Sequence, residues 1–73
     1  SSFGTGVFLV SVDIPIGIYR TDAPEGCRYT KLASNGRVID SDLRLNAGPV
    51  TIEIDEIVHR VQSDECGTWT MVG

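Results

Sequence analysis

Histidine and cysteine are scarce in the sequence, which limits the chemistry open to the chain. The 73 residues include one histidine, His59, and two cysteines, Cys27 and Cys66. A structural zinc site needs four nitrogen or sulfur ligands, so this chain cannot supply one by itself. Catalysis by His59 would need a carboxylate to orient it beside a hydroxyl group, and no motif places those groups together. We therefore expect no enzyme and no cofactor.

Long apolar runs and runs of basic residues are also missing. No apolar segment reaches the length of a transmembrane helix, so we expect no membrane insertion by this domain. The net charge is −4 and the six basic side chains are scattered along the chain, which disfavours nucleic-acid binding. Because the sequence neither begins with Met nor carries a signal sequence, we expect a targeting segment upstream. We interpret residues 1–73 as a single β domain, with Ser1 and Ser2 as linker.

The chain is short for the core that it must form. In so small a domain, apolar burial barely offsets a conformational entropy cost of about 1.5 kcal/mol per ordered residue, so a further constraint is expected. A disulfide between Cys27 and Cys66 would supply it, because closing a loop of about 40 residues contributes roughly 4 kcal/mol in the chain-entropy model. The alternative is that both cysteines are free, buried thiols.

Apolar residues recur with a period near two, and no segment shows the helical period. The pattern predicts strands over residues 6–12, 18–22, 27–32, 37–42, 50–55, 59–62 and 67–72, separated by turns rich in Gly and Pro. The first strand, GVFLVSV, is apolar almost throughout and is expected to be covered on both faces. The fourth, with Val38 and Ile39, is expected at a sheet edge. The predicted fold is all-β, a compact antiparallel sandwich or small barrel of about seven short strands, stapled by one disulfide.

The aromatic side chains are candidates for the core or for ligand contact. They are spread among the predicted strands, and a domain this short needs most of its large side chains buried. If Tyr19, Tyr29 and Trp69 were instead exposed together, they would form a platform for a glycan or small ligand.

Two acidic groups in the sequence have spacings that invite a functional interpretation. Glu53 and Asp55, two residues apart on one strand face, are compatible with glycosidase chemistry, but acidic pairs on solvated faces are common, and we interpret them so. Asp40 and Asp42 could offer oxygen ligands to calcium, but the EF-hand spacing is absent and we predict no metal site.

Three segments of the sequence resemble a known family. The segments GTGVFLV at residues 4–10, DIPIGIYR at 13–20 and CGTWT at 66–70 resemble a small extracellular domain common in actinobacterial secreted proteins and lipoproteins and in proteins of their phages. Ile16 stands where that family usually has proline. The resemblance implies a secreted or cell-surface β domain with a cysteine pair. It supplies neither an activity nor catalytic residues.

These observations favour an extracytoplasmic, non-enzymatic module for protein–protein association, including self-association. The contact would be strand pairing at a sheet edge or burial of an apolar patch, and Val38 and Ile39 on the fourth strand are the least protected candidates. The alternative is a cell-envelope glycan or small-ligand binding module that uses Tyr19, Tyr29 and Trp69.

Overall fold

The computed structural model describes residues 2–73 as a sandwich of two antiparallel sheets. The eight strands are β1 (Ser2–Phe3), β2 (Gly6–Leu9), β3 (Gly17–Thr21), β4 (Cys27–Leu32), β5 (Val38–Arg44), β6 (Val50–Ile54), β7 (Arg60–Asp64) and β8 (Trp69–Met71). Sheet I has the strand order β1-β8-β3-β6, and sheet II has the order β2-β7-β4-β5. The prediction of an all-β antiparallel sandwich is confirmed. In this part of the chain, no helix is long and apolar enough to cross a membrane.

The strand that the sequence pattern missed is β1. Ser2 pairs with Thr70 and Phe3 with Trp69, which adds a two-residue edge strand to sheet I. Two residues carry no periodic signal, so β1 could be recognised only from its partner. Ser1, the other residue interpreted as linker, lies outside the described residues.

The expectation that the first strand is covered on both faces is wrong. Val7 and Leu9 are 55% and 36% exposed, and only Phe8 between them packs against the core. Apolar residues continue beyond Leu9, but the strand ends there because the Leu9 carbonyl accepts the N–H of Asp13 at 2.8 Å. The Asp13 carboxylate in turn accepts the Leu9 N–H at 2.8 Å, which closes a turn.

Aromatic side chains from both sheets meet at the centre of the sandwich. Trp69 and Tyr19 are fully buried, and Phe3 stacks near Trp69 with ring centroids 5.9 Å apart. Tyr29 of sheet II meets the Trp69 ring edge-on at 6.0 Å. The Trp69 indole N–H donates to the Ser63 hydroxyl at 2.8 Å, so a buried hydrogen bond joins the two sheets. Edge-on and offset contacts of this kind stabilise a core beyond the area that they bury.

A disulfide between Cys27 and Cys66 joins the start of β4 to the loop between β7 and β8. Both cysteines are buried and neither is free, so the predicted bridge is confirmed and the free-thiol alternative is excluded. The Thr21 hydroxyl donates to the Cys66 carbonyl at 2.6 Å and accepts the Ala23 N–H at 3.2 Å. The loop between β7 and β8 is therefore attached to sheet I by the Thr21 hydrogen bond and to β4 of sheet II by the disulfide.

Candidate functional site

The three aromatic residues predicted as a possible platform lie in the core. Tyr19, Tyr29 and Trp69 are 0%, 8% and 0% exposed. The Tyr19 hydroxyl donates to the carbonyl of Pro15 at 2.7 Å, which satisfies its polar end inside the protein. These rings therefore form the core and present no face on which a glycan could stack. The reason is size, because a domain of this length depends on its largest side chains for a core.

Both tyrosine phenols are held in the neutral form. Burial raises the pKa of Tyr19, and burial is also the main cause of the raised pKa of Tyr29. For Tyr29 the negative charges of Asp40 and Asp42 add to the rise, and Arg44 opposes it. At neutral pH these groups are core side chains that hold their protons.

The groups weighed for catalysis are not assembled into a site. His59 is exposed in the loop before β7, where its backbone N–H donates to the Leu32 carbonyl at 2.8 Å. Glu53 is exposed, and the Asp55 carboxylate accepts the backbone N–H of Ile57 at 3.2 Å. Across residues 2–73, no three His, Cys, Asp or Glu side chains lie close enough together to hold a metal ion.

The surface has several concavities, and two of them bear on a binding role. The first, of about 240 Å³, lies beside the disulfide and is lined by Leu43, Leu45, Cys27 and charged residues of both signs: Glu25, Arg28, Arg44, Asp64 and Glu65. It is smaller than the range of about 300–1,000 Å³ typical of ligand pockets. The second is an open groove of about 570 Å³ beside β2, whose lining includes Val7, Phe8 and Val12. This groove adjoins the outer side of sheet II through Val7.

The outer side of sheet II carries aliphatic side chains from three strands. Directly opposed residues of an antiparallel sheet share a face, and the register aligns Leu9, Arg60, Leu32 and Val38 in one row. Val7 lies on the same side of β2 as Leu9. Leu43 is paired with Arg28, which lies on the same side of β4 as Leu32. We call the outward side chains Val7, Leu9, Leu32, Val38 and Leu43 the sheet II face. Val7, Val38 and Leu43 of this set are each more than half exposed, at 55%, 55% and 54%.

β5 forms an edge of sheet II, as predicted, but Val38 and Ile39 do not share a surface. Val38 pairs with Leu32 and the next pair joins Asp40 to Lys31, which leaves Ile39 as a bulge. Val38 points outward, whereas Ile39 is half-buried and packs against the core. Of the two candidates, only Val38 is available to a partner through its side chain.

Comparison with known proteins gives a family. A model of the Rv1352-like extracellular domain matches residues 1–70. No curated protein and no solved structure matches the chain. The family's extracellular setting agrees with the buried Cys27–Cys66 bridge, because disulfides form and persist in oxidising compartments. The chain belongs to the Rv1352-like extracellular domain family and is secreted or displayed at the cell surface.

Proposed function

We propose that this domain is a non-enzymatic extracellular module that binds a protein partner through the sheet II face. The observation that carries the proposal is the exposure of Val7, Val38 and Leu43 on one side of one sheet. Apolar residues scattered singly over a surface need no explanation, but a group on one face typically marks an interaction site. The groove beside β2 extends the same surface, because Val7 lines it together with Val12, which is 77% exposed.

The opposite side of the sandwich has a different character. The register of sheet I places Ser2, Thr70, Arg20 and Thr51 across its outer side, with Ile18 opposite Glu53. Ile18 is 38% exposed, and Val72, just after β8, is 60% exposed, so this side has one apolar side chain that is more than half exposed where sheet II has three. A partner that recognises apolar surface therefore has more to bury on sheet II than on sheet I.

Charge favours the same side of the molecule for an acidic partner. The charged side chains on the outer side of sheet II are Arg28, Arg60 and Asp64, and their net charge is +1. The chain as a whole has a net charge of −4, so the remaining surface carries −5. Complementary charge steers association and fixes orientation more than it adds affinity. The proposed partner is a protein whose contact surface combines aliphatic side chains with carboxylates.

We further propose that the domain performs no catalysis and binds no nucleic acid. The exposed loop position of His59 and the use of the Asp55 carboxylate as a turn acceptor support the first statement. The net charge of −4 supports the second, because phosphate binding depends on clustered cations. The segments 13–20 and 66–70 support an actinobacterial or phage setting for the partner.

Site-specific photocrosslinking on the secreting cells tests the proposed surface. A photoreactive residue is placed at Leu43 in one variant and at Val72 in a matched control, which is 60% exposed at the end of sheet I. We expect Leu43 to form a crosslink to one defined protein, and we expect none to that protein from Val72. Equal crosslinking from both positions, or crosslinking from Val72 alone, would contradict the proposal.

A further inference from the structure

The two sheets leave four strands at their edges, and these differ in how readily they could pair with another chain. The edge strands are β1, β6, β2 and β5. β1 has two residues and β2 has four, which offers a partner little to pair with. β5 is longer, but the bulge at Ile39 and the charges of Asp40, Asp42 and Arg44 interrupt it. Short strands, bulges and charges are the usual protections of an edge. β6 (Val50–Ile54) is a regular edge of five residues.

The free backbone groups of β6 can be identified from its neighbour β3. The Ile18 N–H donates to the Gly73 carbonyl at 2.9 Å, and the Ile18 carbonyl accepts the Val72 N–H at 2.7 Å, so Ile18 bonds away from β6. Its partner in β6 is Glu53, whose polar groups must therefore point to the open edge. The Lys31 ammonium confirms this, since it donates to the Glu53 carbonyl at 3.0 Å from outside sheet I. Thr51, two residues earlier, presents its N–H and carbonyl on the same side.

We propose that β6 pairs antiparallel with β6 of a second copy of this chain, centred on Ile52. In this register each Thr51 lies opposite the second copy's Glu53, and the two pairs exchange four backbone hydrogen bonds. Thr51 and Glu53 are exposed, whereas Val50 and Ile52 are buried at 3% and 4%, so the pairing requires no change in the core. Sheet I of one copy and sheet I of the second copy then form one continuous sheet of eight strands.

Side-chain charge favours this register over the one centred on Glu53. Like charges directly opposite one another destabilise a sheet, and pairing centred on Ile52 places each Glu53 opposite a threonine rather than a glutamate. A shift that set Glu53 against Glu53 would create that repulsion. The sequence Thr51, Ile52, Glu53 is thus self-complementary about its middle residue.

Lys31 limits the strength of this pairing. Its ammonium occupies the Glu53 carbonyl that the second copy's Thr51 N–H would use, and lysine at an edge is a common protection against strand addition. The association is therefore weak in the wild-type domain and is expected to strengthen in Lys31→Met, which keeps the apolar part of the side chain but removes the donor. Because each copy has a net charge of −4, added salt strengthens it as well.

Amide hydrogen exchange of the intact domain, followed by NMR from micromolar to millimolar concentration, tests the inference. We expect the Thr51 and Glu53 amides to exchange at least about tenfold more slowly at the high concentration, while exposed loop amides stay unchanged. Concentration-independent exchange of both amides would overturn the inference, as would a dimer that protects other amides instead.

Two substitutions at one exposed position provide the matched controls. Thr51→Lys places opposite charges across the interface, and sedimentation should show a dimer about fivefold tighter, whereas Thr51→Glu places like charges there and should abolish it. Equal dissociation constants for the two variants would refute the register. This contact lies on sheet I and is independent of the sheet II face, so Leu43→Asp should leave the dimer intact whether or not the proposed function holds.

Discussion

Replacing both Cys27 and Cys66 with alanine is expected to remove most of the stability of the domain. The bridge spans 39 residues of sequence, and closing a loop of that length is worth about 4 kcal/mol in the chain-entropy model. A chain of 73 residues has a total free energy of unfolding of about 4–11 kcal/mol, on a scale of roughly 0.05–0.15 kcal/mol per residue. Both cysteines are buried, at 3% and 0% exposure, so lost packing adds to the entropic effect.

Equilibrium unfolding in urea measures this loss, with the fluorescence of the single tryptophan as the signal. Trp69 is fully buried and follows Cys66 by three residues, so its emission reports on the bridged region. Adding a thiol reductant should destabilise the wild type and leave the stability of the C27A/C66A variant unchanged. This comparison separates loss of the bridge from other effects of the reductant. A difference in unfolding free energy below about 1 kcal/mol would contradict a stabilising role of the bridge, because the two sheets would then hold together without it.

Three further predictions concern single side chains. Tyr19→Phe removes a partly buried hydrogen bond to the Pro15 carbonyl and should lower the unfolding free energy by about 1 kcal/mol; unchanged urea stability would contradict this. Because the folded pKa of Tyr29 is raised from its ordinary 10.0, the folded state keeps this proton to higher pH than the unfolded state does. The stability that comes from holding this proton is complete below pH 10 and is lost as pH rises through the folded-state pKa. The unfolding free energy measured across alkaline pH should therefore fall less steeply in Tyr29→Phe than in the wild type. Gly26→Ala should cost more than about 2 kcal/mol, since a Cβ there would clash with the Arg44 carbonyl at the end of β5 and φ is +91°. Gly36→Ala, at a φ of +84° in open space, should cost only about 1 kcal/mol. Equal losses in the two alanine variants would contradict the steric argument.

Local features of the fold were accessible from the sequence. β4 has the predicted bounds, Cys27–Leu32, because a glycine turn precedes it and its side chains alternate. In β6 the buried residues Val50, Ile52 and Ile54 follow the period-two pattern, which one covered face produces. The bridge followed from the size of the core and the number of cysteines.

Features that depend on pairing between strands distant in the sequence could not be predicted from the sequence alone. β1 exists only because Phe3 pairs with Trp69, and the bulge at Ile39 is visible only against β4. The sheet II face has the same origin, since the register of β7 with β2 and β4 aligns Leu9 with Leu32. Aliphatic residues such as these are ordinary in any strand, and only the pairing shows which of them share a surface.

The candidate aromatic platform failed for a physical reason that the sequence already contained. Tyr19, Tyr29 and Trp69 fill the centre of the sandwich, as the small size of the domain requires. The sheet II face is instead built from valine and leucine. Large aromatic residues in a domain of this length indicate the core, and the functional surface has to be sought among the smaller side chains.

The most direct test of the proposed function is the affinity of the purified domain for the protein captured by the Leu43 crosslinker. The variant V38D/L43D places two charges on the sheet II face, and both residues are more than half exposed, so its fold should be retained. We predict at least about thirtyfold weaker binding than the wild type, as expected for the loss of central contacts, and unchanged binding by Val72→Asp on the other sheet. Wild-type affinity in V38D/L43D, or an equal loss in Val72→Asp, would contradict a binding site on sheet II.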